Sequence, residues 1–168
     1  MPLVYFLHDS STKHQAQISA ILSNGMQPQR NEPGIYTLML SLPGARKITV
    51  GSLGVMDFAG GFYSYTGSAR GSGGLKRVDR HIQVSQGIEK TRRWHIDYLL
   101  PHACFLEVFI TKTTLDLECR IANAIGKRLM PVPGFGCTDC RCISHLHYSP
   151  GLGEMRAAVA AAHSAAVI

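Results

Sequence analysis

Two apolar segments separated by a Pro43–Gly44 pair predict two strands joined by a turn near the start of the regular structure. The first segment is GIYTLMLSL (residues 34–42) and the second is RKITVGSL (residues 46–53). A third strand-like segment, FYSYTGS, covers residues 62–68. These segments give three predicted strands in succession before the first helix of the organised core.

Helical patterns and one more strand follow in the rest of the chain. Helices are predicted over about residues 75–85, 94–100 and 113–126, with a strand over residues 104–110 and a helical tail from about Gly153. The resulting order, β-β-β-α-α-β-α, is typical of an α+β domain in which helices flank a small, mainly antiparallel sheet.

The chain of 168 residues is long enough for one domain with its own core. Residues 1–33 are predicted to form an N-terminal extension with a peripheral helix over residues 11–24, because a segment rich in proline and glycine follows that helix. Residues 34–150 are predicted to form the folded domain, and residues 151–168 a C-terminal helical tail.

The charge of the chain favours a polyanionic partner. Seventeen Lys and Arg residues oppose eleven Asp and Glu residues, which gives a formal net charge of +6. Each phosphate that a basic protein neutralises releases counterions, so nucleic acid fits this charge, although charge alone does not select it. Several of the cations fall in one stretch: Arg70, Lys76, Arg77, Arg80, Arg92 and Arg93.

The sequence gives no indication of a membrane partner. No apolar run approaches the ~20 residues that cross a bilayer. Residues 1–7 are apolar but lack the basic lead-in and cleavage site of a secretory signal, so a cytoplasmic location is expected. A monomer fits the sequence, and the oligomeric state stays open.

The predicted helix over residues 113–126 places one carboxylate among apolar side chains. At about 100° per residue, the apolar face consists of Leu115, Leu117, Ile121, Ala122 and Ile125. Glu118 is predicted to project from the middle of this face, and Asp116 and Arg120 to pair on the opposite face. A carboxylate in a core is costly unless it is paired or binds a metal. Glu118 is therefore a candidate metal ligand, with an ion pair to an arginine or a small error in helix phase as the alternatives.

Arg77 and His81 lie one turn apart in the helix predicted over residues 75–85, beside its apolar stripe. Arg can clamp a phosphate with two hydrogen bonds, and His can transfer a proton near neutral pH. Most such pairs belong to a solvated basic face, and the helix by itself favours that interpretation. The glycine-rich loop before it matches neither a P-loop nor a dinucleotide fingerprint, so it is weak evidence for a phosphate site.

Three of the five cysteines lie close together with two histidines: Cys137, Cys140, Cys142, His145 and His147. This spacing suggests metal or redox chemistry more than a disulfide framework. A structural zinc at Cys137, Cys140, Cys142 and His145 is one interpretation, because zinc takes ligands of these types. So short a segment has difficulty surrounding one ion, and cysteines packed under a loop are favoured over zinc.

Two separated triplets bring these observations together. Gly34-Ile35-Tyr36 and Tyr65-Thr66-Gly67, followed by a helix with Arg77 and a helix with Glu118, resemble the GIY-YIG nuclease superfamily. The phrases YTGSARGSGGL, RVDRH, WHIDYLL, LECRIA and PGFGCTDCRCISHLHY resemble, more closely, a GIY-YIG-related domain family whose members occur alone or joined to endonuclease III-type DNA glycosylases. The resemblance covers about residues 34–148, with Thr66 where the superfamily name has isoleucine.

The resemblance implies a metal-dependent endonuclease that hydrolyses phosphodiester bonds in nucleic acid, with DNA as the expected substrate. It implies that Tyr36 and Tyr65 position the attacking water and help to deprotonate it. Arg77 would hold the phosphate and stabilise the charge of the transition state. Glu118 would bind one Mg²⁺ or Mn²⁺, and His81 would support proton transfer or contact the phosphate.

Other functions stay open at this stage. A non-catalytic nucleic-acid-binding module with the same fold would explain the charge but not the predicted cost of Glu118. A zinc-stabilised interaction domain would explain only the cysteine cluster. Trp94, His95 and Asp97 are predicted to anchor a short helix on the sheet, with His95 as a weaker candidate for an additional histidine of the superfamily and Trp94 for stacking on a base.

Overall fold

The structure is a computed structural model that describes residues 3–6 and 31–167. In this part of the chain, six strands form one sheet in the order β1-β6-β2-β5-β8-β7, and β3 and β4 form a separate hairpin. All of the pairings are antiparallel. The strands are β1 (Leu3–Phe6), β2 (Gly34–Leu42), β3 (Arg46–Thr49), β4 (Val55–Phe58), β5 (Gly61–Ser68), β6 (Cys104–Lys112), β7 (Met130–Pro131) and β8 (Leu146–Ser149).

Helices cover both faces of the sheet. They are α1 (Lys76–Ser85), α2 (Ile96–Leu99), α3 (Glu118–Gly126) and α4 (Leu152–Ala166), with 3₁₀ turns at Gly51–Leu53 and Leu100–His102. The predicted α+β class with an antiparallel sheet flanked by helices is confirmed. The helix predicted over residues 11–24 lies outside the described residues, and the predicted domain boundaries stay predictions.

Strand β2 is buried on both faces, so its alternate side chains enter two different cores. Tyr36 and Leu38 face α1 and α2, and this side of the sheet is called the cleft face below. Ile35 and Met39 face α3 and α4, and this side is called the tail face because it carries the C-terminal helix. Chemistry-bearing side chains can therefore be assigned to one face or the other by their position in the strand.

Buried polar side chains fasten α4 to the tail face. His163 lies between two threonines of the sheet, with Nε2 2.8 Å from the Thr37 hydroxyl and Nδ1 2.8 Å from the Thr111 hydroxyl. Arg156 donates to the carboxylate of Glu107, which is buried in β6, through Nε at 2.8 Å and also through Nη2. The C-terminal helix is thus held by specific polar contacts as well as by apolar packing.

Several predicted boundaries were wrong where elements are short. The strand predicted over residues 46–53 ends at Thr49, and the chain turns through Gly51–Leu53 before a short return strand that the sequence did not indicate. Strands β7 and β8 were also missed, because two to four residues carry too little alternation to be recognised. None of the helices in the described residues is long and apolar enough to cross a membrane.

The helix predicted to begin near Thr113 begins instead at Glu118. The hydroxyl of Thr113 accepts a hydrogen bond from the backbone N–H of Leu115, 3.0 Å away, and so caps a local turn rather than a helix. Leu115 is 64% exposed, so it does not belong to an apolar face. The prediction that Glu118 projects from the middle of such a face was therefore wrong, since Glu118 occupies the first turn of α3.

Candidate active site

A polar cleft of about 430 Å³ opens where β2, β5, α1 and the start of α3 meet. Four residues predicted as site residues line it together: Tyr36, Tyr65, Arg77 and Glu118. Further lining residues that carry charge or can titrate are Arg70, Arg93, His95, Asp116, Cys119, Asp139, Cys140 and His145. Residues far apart in sequence thus supply one concave surface that carries both cations and carboxylates.

The two tyrosines come from neighbouring strands and reach the cleft because of a glycine. Tyr36 of β2 is the cross-strand partner of Gly67 of β5. A Cβ at Gly67 would overlap the phenol of Tyr36, so only glycine lets this ring lie across β5. Tyr65 lies two residues earlier on the same face of β5, so both phenols point to the cleft.

Behind Tyr36, a chain of buried side chains continues away from the cleft. The phenol oxygen of Tyr36 lies 2.8 Å from Nε2 of His81, which is buried in α1 and does not line the cleft. Nδ1 of His81 lies 3.3 Å from Oδ1 of Asp97, outside the aligned geometry of a hydrogen bond. His81, predicted either to support proton transfer or to contact the phosphate, therefore contacts Tyr36 and Asp97 instead of the cleft.

Asp97, in the first turn of α2, is a carboxylate held in its charged form. Its Oδ2 accepts hydrogen bonds from the backbone N–H groups of Arg93 and Trp94 at 2.8 and 3.2 Å and from Arg80 at 2.9 Å. Burial opposes ionisation, but the contacts with His81 and these two backbone donors outweigh it and lower the pKa of Asp97 to about 2. A fixed negative charge therefore stands behind His81.

Burial disfavours the charged forms of Tyr36, Tyr65 and His81. It raises the pKa of Tyr36 well above its usual value, with Tyr65 adding to the effect and Arg77 opposing it. Burial also raises the pKa of Tyr65, with the carboxylates of Glu118 and Asp97 adding to it. The pKa of His81 is lowered because burial outweighs the attraction of Asp97. At neutral pH the arrangement is thus a neutral phenol beside a neutral imidazole that can accept its proton.

Arg77 reaches the cleft with its guanidinium held at two points. Nη1 donates to the backbone carbonyl of Ser68 at 2.6 Å, and the guanidinium carbon lies 4.6 Å from the centre of the Trp94 ring. Arg80 lies over the same ring at 4.8 Å. Trp94 therefore orders two arginines beside the cleft, a role that a lone tryptophan in the sequence did not reveal.

Two smaller predictions at the cleft rim are corrected. Asp116 pairs with Arg70 at 2.8 Å rather than with Arg120, whose Nη2 donates to the carbonyl of Ala165 at 3.2 Å. The predicted i,i+4 pair does not form because the helix has not yet begun at residue 116. His95 lines the cleft, and its Nδ1 accepts a hydrogen bond from the backbone N–H of Gly136 at 3.1 Å.

Glu118 lies where α3 begins, with a quarter of its side chain exposed. The N-terminus of a helix favours a negative charge, so this position stabilises the carboxylate without any burial in a core. Oε1 of Glu118 lies 3.2 Å from Nδ1 of His145. Burial lowers the pKa of His145, but the contact with Glu118 more than offsets this, and the pKa lies above its usual value.

Beside Glu118, four side chains could hold a metal ion: Cys119, Cys140, Cys142 and His145. One ligand atom from each lies within 4.8 Å of those of the other three. The ligand set considered from the sequence was therefore wrong in one member, because Cys137 lies outside the group and its thiol donates to the carbonyl of Ile143 at 3.6 Å. Cys119 was missed because it is remote from the other cysteines in sequence, and the odd number of cysteines was the one signal available.

Comparison with known proteins adds a family but no named relative. A family model described as "Domain of unknown function DUF123" matches residues 35–168. Neither the curated proteins nor the solved structures contain a significant match to the chain.

Proposed function

The chain belongs to the DUF123 family, and we propose that it is a metal-dependent endonuclease of the GIY-YIG type that hydrolyses phosphodiester bonds in DNA. The observation that carries the proposal is that Tyr36, Tyr65, Arg77 and Glu118 line one polar cleft. Phosphoryl transfer requires a cation for the phosphate, a group that accepts a proton from water and a carboxylate that can bind a metal. The cleft offers all three within one concave surface.

Arg77 is assigned to the phosphate. Its hydrogen bond to Ser68 and its position over Trp94 fix the guanidinium, so little side-chain entropy remains to be lost when a phosphate binds. A fixed cation stabilises the charge that develops on the phosphate oxygens more in the transition state than in the ground state.

Tyr36 is assigned to bind and deprotonate the attacking water. His81 is assigned to accept the phenol proton of Tyr36. Burial opposes a free phenolate at Tyr36, so the phenol cannot act as a base by losing its proton to solvent at neutral pH. The contact of 2.8 Å with Nε2 of His81 gives that proton a destination, and the charge of Asp97 stabilises the imidazolium that forms. Tyr65 would orient the water from the neighbouring strand.

Glu118 is assigned to a divalent cation, Mg²⁺ or Mn²⁺. The residues fit this role, because Glu118 is a partly exposed carboxylate that faces the cleft, and Mg²⁺ accepts one carboxylate with water and phosphate oxygens as its other ligands. When bound, such an ion would stabilise the charge on the phosphate and on the leaving oxygen.

The cluster beside Glu118 is assigned to a different ion. Thiolate donors suit zinc and do not suit Mg²⁺, so we propose zinc as the metal of Cys119, Cys140, Cys142 and His145. All five cysteines are unpaired, and compartments that keep thiols reduced are intracellular. A cytoplasmic location therefore belongs to the proposal.

A nucleic-acid-binding module without catalysis is the second candidate. The raised pKa of both phenols favours it, because neither phenol readily becomes a base. The net charge of +6 suits either function. The two candidates differ only in whether nucleic acid is cleaved.

Cleavage of plasmid, linear, branched and single-stranded DNA, with matching RNA, in Mg²⁺ or Mn²⁺ tests the proposal. We expect wild type to cut at least one DNA substrate, and Glu118→Ala and Arg77→Ala to lose about 10²- to 10³-fold in rate. Arg120→Ala is the matched control, because Arg120 follows Glu118 in α3 but does not line the cleft. Binding without cleavage by wild type would establish the second candidate, and undiminished cleavage by both cleft variants would reject the site.

A further inference from the structure

We propose that Cys119, Cys140, Cys142 and His145 form a tetrahedral zinc site, and that the ion acts through His145 to position Glu118 in the cleft. The zinc site is inferred from the geometry of its ligands alone. The catalytic consequence of positioning Glu118 rests on the proposed nuclease function.

The separations in the cluster match a tetrahedron around one zinc ion. With Zn–S near 2.3 Å and Zn–N near 2.0–2.1 Å, a tetrahedral site holds two sulfurs roughly 3.8 Å apart and a sulfur and a nitrogen roughly 3.6 Å apart. Nε2 of His145 lies 3.5 Å from the sulfur of Cys140 and 3.9 Å from that of Cys119. All four donors fall within 4.8 Å of one another, so one ion reaches them with little movement.

The ligands come from two parts of the fold, which removes the objection that a short segment cannot surround an ion. Cys119 lies in the first turn of α3, and the other three ligands lie in the connection between β7 and β8, residues 132–145. This connection has no helix or strand, and Cys140 and Cys142 are only partly buried. A metal would fasten its partly exposed segment around Cys140 and Cys142 to α3.

His145 links this site to Glu118 through its two ring nitrogens. Nε2 faces the sulfurs, whereas Nδ1 lies 3.2 Å from Oε1 of Glu118, close enough for a hydrogen bond but without its aligned geometry. A neutral imidazole carries one proton, so a metal on Nε2 places that proton on Nδ1, where it can be donated to the carboxylate. Metal-bound histidines regularly donate in this way, and the contact fixes both the ring and the carboxylate. His145 is thus a positioning residue for Glu118.

Metal analysis tests the ligand set. Wild type expressed in zinc-supplemented medium should carry one zinc per chain, and X-ray absorption should give three sulfur neighbours and one nitrogen. Cys119→Ser and Cys142→Ser should lose most of the zinc. Cys137→Ser is the matched control from the same connection and should keep it.

Two results would overturn the site. One is wild type that takes up no zinc even after reconstitution with the metal. The other is loss of zinc in Cys137→Ser together with retention in Cys119→Ser. Since a cysteine variant can fail to fold, Co²⁺ substitution of the wild type gives an independent check, because three thiolates produce intense charge-transfer absorption that oxygen and nitrogen ligands do not.

Chelator competition tests the link to Glu118. Loss of such a hydrogen-bond partner weakens metal affinity by about 10- to 100-fold. We expect this for Glu118→Gln and expect no change for Asp116→Asn, a carboxylate that also lines the cleft but pairs with Arg70. Equal affinity in the two variants would refute the link. These measurements do not depend on cleavage, so inactive protein with a coupled zinc site would refute the nuclease function alone.

Discussion

Two histidines of this protein are equally buried, yet they stand in opposite settings. His81 lies on the cleft face between a phenol and a carboxylate, and His163 lies on the tail face between two threonine hydroxyls. Both side chains are fully excluded from solvent. Burial therefore does not distinguish the residue proposed to take part in chemistry from the one that holds the fold together.

What distinguishes them is where their contacts end. The chain of contacts through His81 begins at a tyrosine that lines the cleft and ends at a carboxylate held in its charged form. A proton that leaves Tyr36 thus has an acceptor, and the charge of Asp97 offsets part of the cost that burial places on a charged imidazole. The chain through His163 ends at threonines inside the sheet. It can satisfy the ring nitrogens, but among residues 3–6 and 31–167 it brings no charged group to stabilise an imidazolium. The same residue type thus has the contacts that the proposed reaction requires in one core and a structural role in the other.

The largest expected effect is a difference in cleavage rate between variants of the two histidines. His81→Gln should reduce the single-turnover cleavage rate by about 10²- to 10⁴-fold, because the proton of Tyr36 loses its acceptor. His163→Gln should change that rate by less than threefold, roughly the scatter of context-dependent effects away from a site. Equal losses of cleavage rate in the two variants, measured well below their unfolding temperatures, would show that His81 has no special role in the reaction.

Substitution of His163 should affect stability more than activity, the reverse of the expectation for His81. His163→Ala should lower the free energy of unfolding by about 2–4 kcal/mol, because it leaves a cavity and removes the hydrogen-bond partner of the Thr111 hydroxyl. Thr37 keeps its hydrogen bond to the hydroxyl of Thr66 at 3.0 Å. Urea unfolding followed by circular dichroism would measure the loss, and rates per folded molecule should stay at the wild-type level. A loss below about 1 kcal/mol would mean that the tail face does not depend on this contact.

Stability should fall with pH in a way that depends on His163. Burial lowers the pKa of His163 to about 4. The unfolded chain takes up a proton near pH 6.5, whereas the native histidine does not until about pH 4, so stability is lost as pH falls between these values, by up to about 3 kcal/mol. Since Gln does not titrate, the stability difference between wild type and His163→Gln should shrink over this window. Parallel stability curves from pH 7 to pH 4 would contradict the assignment.

The smallest effect concerns one of the threonine partners. Thr111→Val keeps the shape of the side chain but removes the hydroxyl that lies 2.8 Å from Nδ1 of His163. The free energy of unfolding should fall by about 1 kcal/mol, as for a typical buried hydrogen bond. Combined with His163→Ala, the substitution should cost less than the sum of the two single losses. Strict additivity would show that the two side chains are not coupled.

Long apolar segments explain why the sheet could be predicted from the sequence. Strands β2 and β5 and helix α1 have eight or more residues with a clear pattern, and each was placed within about two residues. Strands β4, β7 and β8 are held mainly by their partners, and their own residues carry little signal. The true start of α3 was missed because Leu115 and Leu117 continued the apolar period into a turn.

Residues of the candidate site were predictable where a motif named them and not where tertiary contacts did. Tyr36 and Glu118 followed from the resemblance, although the physical reason first given for Glu118 was wrong. Asp97 and Cys119 acquire their significance only when α2 and α3 pack beside segments distant in sequence. No local pattern reports such packing, so pairs of this kind lie beyond what spacing can reveal.

The close approach of Tyr36 to Gly67 has a consequence for how sequences of this family can vary. The two positions share one volume, so a side chain at residue 67 and an aromatic ring at residue 36 exclude each other. Substitutions at the two sites should therefore be correlated, with larger residues at 67 accompanied by smaller ones at 36. A relative with a larger residue at position 67 would thus be expected to lack the phenol at position 36, and the nuclease proposal predicts that it does not cleave nucleic acid.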